Sequence, residues 1–131
     1  MRIFWVMALA LAGCAMETGD EAAQGFDARA DYAALCADCH GAKGKGNGPM
    51  AANLSPRPAN LSRLAVGGGY PTTRVMSKIW GYAGGKGGTV MPAFAPLMEG
   101  ALIPYDGGDG IETPTPERLV ALAEYVKTIQ D

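Results

Sequence analysis

Cys36 and Cys39 stand three residues apart, and the next residue is His40, the only histidine of the chain, in the run "CADCHG" at 36–41. Two thiols and an imidazole at this spacing serve three kinds of chemistry: metal ligation, a redox disulfide, or covalent anchorage of a haem whose iron the imidazole then ligates. A closed zinc site wants four Cys or His ligands, and the chain offers three Cys and one His. A redox Cys-x-x-Cys wants a strand–helix–strand context and a depressed thiol pKa, and no such alternation is visible here. Cys-x-x-Cys-His is the pattern of c-type haem attachment, in which two thioethers to the vinyl groups hold the porphyrin and the adjacent histidine reaches the iron. The spacing therefore points to haem, with Cys36 and Cys39 as the attachment residues and His40 as an axial ligand.

The iron needs a sixth ligand, and with no second histidine the natural donor is a methionine thioether, which raises the potential and favours electron transfer. Met50 lies too close to His40, and Met76 falls in a helical stripe where core packing explains it. Met91 follows "GGKGGTV" and precedes Pro92, a helix-breaking boundary at which a side chain can be presented across a haem face. His40 and Met91 are thus the expected iron ligands, with Met98 in reserve. Pro56 or Pro58 is expected to turn the loop so that a backbone carbonyl nearby accepts from the other ring nitrogen of His40, fixing its tautomer. Trp80 or an arginine could hold a propionate, although Trp80 serves equally well as core.

The elements that must position these residues can be read from periodicity. With 131 residues the chain is of one-domain size, and its few aromatics and abundant Gly and Pro promise a thin core without a large apolar group to pack around. Residues 1–13, "MRIFWVMALALAG", carry one early Arg and an apolar run too short to span a membrane, the signature of a signal peptide. It ends in "LAGC" at 11–14, which resembles the lipobox of bacterial lipoproteins, so Cys14 is expected to be lipidated; "ALA" at 10–12 also fits an ordinary cleavage site. Residues 14–25 read as a flexible tether and 26–131 as the folded domain. From Asp27, a helix cap, Tyr32, Leu35, Cys36 and Cys39 fall on one face of a helix that runs into the motif. The Gly- and Pro-rich stretch 41–61 must be a loop. A second helix is expected over 72–82, with Val75, Ile79 and Tyr82 as its stripe and Gly84 and Gly85 as its end. A third carries Thr115 as cap, Pro116 in the first turn, then Leu119, Leu122, Val126 and Ile129, and should pack on the first. No strand alternation is apparent, so the expected class is all-α, three main helices and long loops around one haem.

The segments "YAALCADCHGAKGKGNGP", "SPRPANL", "GTVMPAF" and "LVALAEYVKTI", in that order, resemble the bacterial class I cytochromes c, small monohaem electron carriers. The likeness covers most of the chain from Tyr32 onward. It implies the small cytochrome c fold, Cys36 and Cys39 on the haem vinyls, His40 as proximal and Met91 as distal ligand, and Tyr32, Leu122 and Tyr125 where the first and last helices cross. Two departures stand out: Ala28 where the family often has glycine, and a long insertion over 99–116.

The net charge is only −2, yet between Cys39 and Val90 there are seven Lys or Arg and no Asp or Glu, while all 13 acidic residues lie outside that block. A redox partner with an acidic patch, met by electrostatic steering, is the expectation. Aromatics do not interleave with the basic residues, so nucleic acid is not indicated. "GAKGKGNG" at 41–48 lacks the following Lys-Ser or Lys-Thr of a phosphate loop, and "DGGDGIE" lacks the ligand spacing of a calcium loop and reads as a solvated turn. The whole reads as an exported electron carrier, lipid-anchored on the periplasmic side of a bacterial membrane, with no catalytic residues of its own. A haem-bearing subunit of a larger oxidoreductase is the alternative, and a gas-sensing or peroxidase-like haem protein a more distant one.

Overall fold

Asp27 begins the described structure as a helix cap: its carboxylate accepts from the backbone N–H of Arg29 and Ala30 at 3.1 and 3.0 Å, satisfying two otherwise orphaned donors. The computed structural model describes residues 26–82 and 90–131. The expected signal peptide, the lipobox with Cys14, the tether, and Gly84, Gly85 and Lys86 all lie outside these residues. Helix α1 (Ala28–Leu35) leads through Cys36 into the short α2 (Ala37–His40). The hydrogen-bond ladder crosses the junction, from Cys36 N–H to Tyr32 and from His40 N–H to Cys36 at 2.9 and 2.8 Å, so the motif rides on a nearly continuous helix.

The glycine-rich segment then folds back on α2. The N–H groups of Gly46, Gly48 and Met50 donate to the carbonyls of His40, Cys39 and Asp38, which satisfies the exposed end of the helix. This close return explains Gly48: any Cβ there would collide with the backbone carbonyl oxygens of Ala37 and Asp38. Two 3₁₀ turns (Ala51–Asn53 and Leu61–Arg63) follow, and then α3 (Thr72–Trp80). Helix α3 ends at Gly81, which takes the left-handed conformation at φ 108° and donates to Ser77, earlier than the expected 84–85. Tyr82 is accordingly outside the buried stripe, 79% exposed and stacked on Trp80 with ring centroids 6.0 Å apart.

The all-α expectation is overturned. Among the described residues there are five α-helices and a two-stranded antiparallel sheet, a small mixed α and β architecture. After α4 (Ala95–Met98), the insertion forms a hairpin of β1 (Leu102–Asp106) and β2 (Glu112–Pro116), in register Leu102 with Pro116 and Asp106 with Glu112. The Asp106 carboxylate accepts from the N–H groups of Gly108, Asp109 and Gly110 at 2.7, 3.0 and 3.0 Å, tying the turn and holding its pKa below the ordinary range. Pro104 pairs with Pro114, and Pro116 lies in the same phase of the ladder, the one whose N–H positions face away from the partner strand, so no ladder bond is lost. Helix α5 (Glu117–Thr128) begins directly after β2, with Pro116 at its cap and Thr115 in the strand, displacing the expected cap by one position.

The core sits where α1, α3 and α4 meet α5. Tyr32, Val75, Ile79, Met98, Leu119, Leu122, Ala123 and Val126 are buried there together with Cys36. Tyr32 meets Tyr125 at 5.2 Å between ring centroids with the rings tilted by 48°. Arg118 bonds both carboxylate oxygens of Asp31, at 2.7 and 2.6 Å, and donates to the Leu97 carbonyl at 2.8 Å, joining α5 to α1 and α4. The hairpin is pinned to the body by Tyr105, whose hydroxyl donates to Glu124, and by the Glu117 N–H on the Ala101 carbonyl.

Candidate functional site

The helix junction places Cys36, Cys39 and His40 within one turn, with Cys36 8% exposed, Cys39 partly buried and both thiols free. Burial pushes the Cys36 thiol up to about 11, with Asp31 and Cys39 adding to the shift. A thiol held protonated in this way is the opposite of the low-pKa nucleophile a redox Cys-x-x-Cys needs. Among the described residues no three Cys, His, Asp or Glu side chains converge to hold a metal ion.

His40 is buried at the end of α2, and its Nδ1 lies 2.9 Å from the Ala59 carbonyl oxygen. A carbonyl only accepts, so Nδ1 carries the proton and, in the neutral ring, Nε2 carries the lone pair. Among the described residues no hydrogen bond occupies Nε2. The accepting carbonyl is one residue beyond Pro58, in the loop where sequence reasoning looked for it. A second bond steadies the turn after His40: the Tyr32 hydroxyl donates to the Gly41 carbonyl at 2.8 Å.

Met91 is partly buried and packs against the apolar cluster that contains Cys36. Its segment is held to α3 by the Phe94 N–H, 2.9 Å from the Ile79 carbonyl. The other methionines differ in setting. Met98 is wholly enclosed in the core at 0% exposure, Met76 packs from α3, and Met50 is 49% exposed. Trp80 is partly buried against the same cluster.

The donor set suits a covalently held haem: two free thiols one turn apart, an imidazole with its proton committed to the protein and its lone pair available, and an apolar cluster alongside. An open hollow of about 400 Å³ beside the glycine loop includes none of these three side chains; it is lined by Asp38, Lys43, Lys45 and Asn47 among others and is a solvated groove.

The basic residues of the 39–90 block that are described are all exposed. They are not uniformly available, since Lys45 and Arg63 both turn to Asp131, at 3.6 and 3.7 Å. Sequence reasoning missed that tie, and it missed the Arg118–Asp31 pair; residues 87 apart in sequence leave no local signal.

No helix among the described residues is long and apolar enough to cross a membrane. Comparison of the chain with protein-family models, with curated proteins and with solved structures finds no match.

Proposed function

We propose that this chain is a monohaem c-type electron carrier, exported and tethered to a membrane through Cys14, in which Cys36 and Cys39 hold the haem and His40 and Met91 ligate its iron. The observation that carries this reading is the bond from Nδ1 of His40 to the Ala59 carbonyl beside two free thiols: the ring is oriented and its Nε2 lone pair is reserved. The likeness of four ordered segments to the class I cytochromes c supports it further.

The bound haem supplies an iron that accepts and releases one electron. Cys36 and Cys39 each hold it by adding S–H across a vinyl C=C, sulfur to one carbon and hydrogen to the other, which needs no oxidant. The Ala59 carbonyl fixes the His40 ring and raises the basicity of Nε2. Met91, as a thioether donor, favours the reduced state and completes the ligand set, which leaves no position for a substrate. Protein partners with an acidic patch fit the exposed Lys43, Arg57 and Arg74, which make no ion pair among the described residues.

The test is the absorption spectrum of protein produced with c-type maturation, oxidised and reduced, with and without carbon monoxide. The expected result is a c-type reduced spectrum that survives denaturation, because the haem is covalent, and that carbon monoxide does not shift. In Met91→Ala, carbon monoxide should then bind the reduced protein. A matured sample without haem overturns the proposal, and a wild-type spectrum that carbon monoxide shifts removes Met91 as a ligand.

A further inference from the structure

We infer that Gln130, 90 residues from His40 in sequence, is a positioning residue that holds the His40 ring through the 59–65 loop. Its carboxamide makes four hydrogen bonds. Oε1 accepts from the N–H groups of Leu64 and Ala65 at 2.8 and 3.1 Å, and Nε2 donates to the carbonyls of Leu61 and Val126 at 2.7 and 2.9 Å. That uses both lone pairs and both protons of the amide, and turning it over would set the nitrogen against two donors and the oxygen against two acceptors. One side chain thus clamps the 61–65 segment to the last turn of α5.

The clamp sits two residues from the carbonyl that orients His40. Between them, Asn60 Oδ1 accepts from the Ser62 N–H at 2.9 Å, and the single proton of the Ser62 hydroxyl lies between two acceptors, Asn60 Oδ1 and an Asp131 carboxylate oxygen, each at 2.8 Å. On the other side the Leu61 N–H donates to Gly44 in the loop that follows His40, at 2.5 Å. Ala59 itself is exposed and lies in no helix or strand, so the position of its carbonyl depends on these anchors. Of them, Gln130 is the one that reaches into a long helix of the core.

The test uses Gln130→Ala and, because that variant removes packing along with the amide, Gln130→Met, which keeps the stem and bulk without the amide. In the full-length protein, NMR gives the solvent-exchange rate of the His40 Nδ1 proton beside that of the Leu122 amide, in the buried middle of α5. Both variants should accelerate His40 exchange about tenfold or more while Leu122 stays within about twofold, because the loop opens locally and not with the whole fold. Equal acceleration of the two protons, or none, overturns the clamp. On the haem reading, on which this part rests, the reduction potential should also rise, since a less firmly bonded imidazole is a weaker donor to the oxidised iron. A wild-type protein lacking haem overturns the function proposed above and not the clamp, whose groups all belong to the chain and whose two exchange rates can still be read.

Discussion

Tyr32 joins the packing of the molecule to its chemistry within one side chain. The ring fills the α1–α5 crossing against Tyr125, and the hydroxyl donates to Gly41, the residue after His40. Tyr32→Phe separates the two roles, because it keeps the ring and leaves the buried Gly41 carbonyl with the Gly44 N–H, at 3.0 Å, as its remaining donor. The cost should be about 1 kcal/mol of unfolding free energy, the net worth of one hydrogen bond, read as a lower urea midpoint with an unchanged slope. On the function proposed above, haem attachment through Cys36 and Cys39 should be unaffected, since neither thiol depends on that bond. The motif was legible in the sequence because its three residues are adjacent and their spacing is chemical. The orientation of His40 was legible only in part: two prolines marked the loop that would supply a carbonyl, but which carbonyl depends on how that loop is anchored, and its anchors at Gln130 and Asp131 lie far along the chain.

The helices were the readable elements. Asp27 as a cap and the stripe through Tyr32, Cys36 and Cys39 foretold α1 and its run into the motif, and the spacing of Leu119, Leu122 and Val126 foretold α5. The hairpin was hidden because three of its ten strand residues are proline, and proline ordinarily argues against a strand. Only the pairing of Pro104 with Pro114 makes the pattern tolerable, and pairing is not visible along one strand. The end of α3 was misplaced for a simpler reason: Gly81 offers the same left-handed cap as Gly84 and comes first. What joins the elements also escaped a linear reading. Arg118 touches α1 and α4 at once, and its side chain and that of Asp31 are 27% and 17% exposed, so the pair is screened less than a surface ion pair and desolvated less than a core one. Arg118→Ala should therefore cost about 2 kcal/mol, and a double-mutant cycle with Asp31→Ala should return about half of it as coupling between the two. Arg118→Lys should fall between, because an ammonium cannot bond both carboxylate oxygens and Leu97 in one plane.

Across the whole molecule, three tyrosines couple the fold to alkaline pH. Burial first, and then Cys36 and Tyr125 beside Tyr32 and Glu124 beside Tyr70 and Tyr105, push the three hydroxyls up to about 12 from an ordinary value of 10.0. In the unfolded chain these hydroxyls ionise near their ordinary value while the folded protein keeps its protons, so the unfolded state binds fewer protons as pH rises. Stability contributed by these groups is complete below about pH 10 and is lost between about pH 10 and 12. Urea midpoints measured from pH 8 to 12 should be level at first and then fall, and Tyr32→Phe should flatten the descent; a level profile throughout would contradict the assignment. The hairpin has a consequence at this scale as well. A sheet grows from one molecule to the next by bonding the outward N–H groups of an edge strand; of those positions here, Pro104 removes one of three on β1, beside Leu102 and Asp106, and Pro114 and Pro116 remove two of three on β2, beside Glu112. Each edge of the hairpin is thereby a poor template, β2 the poorer: the sheet covers part of the surface while giving a neighbouring copy an interrupted row of donors on which to nucleate a fibril.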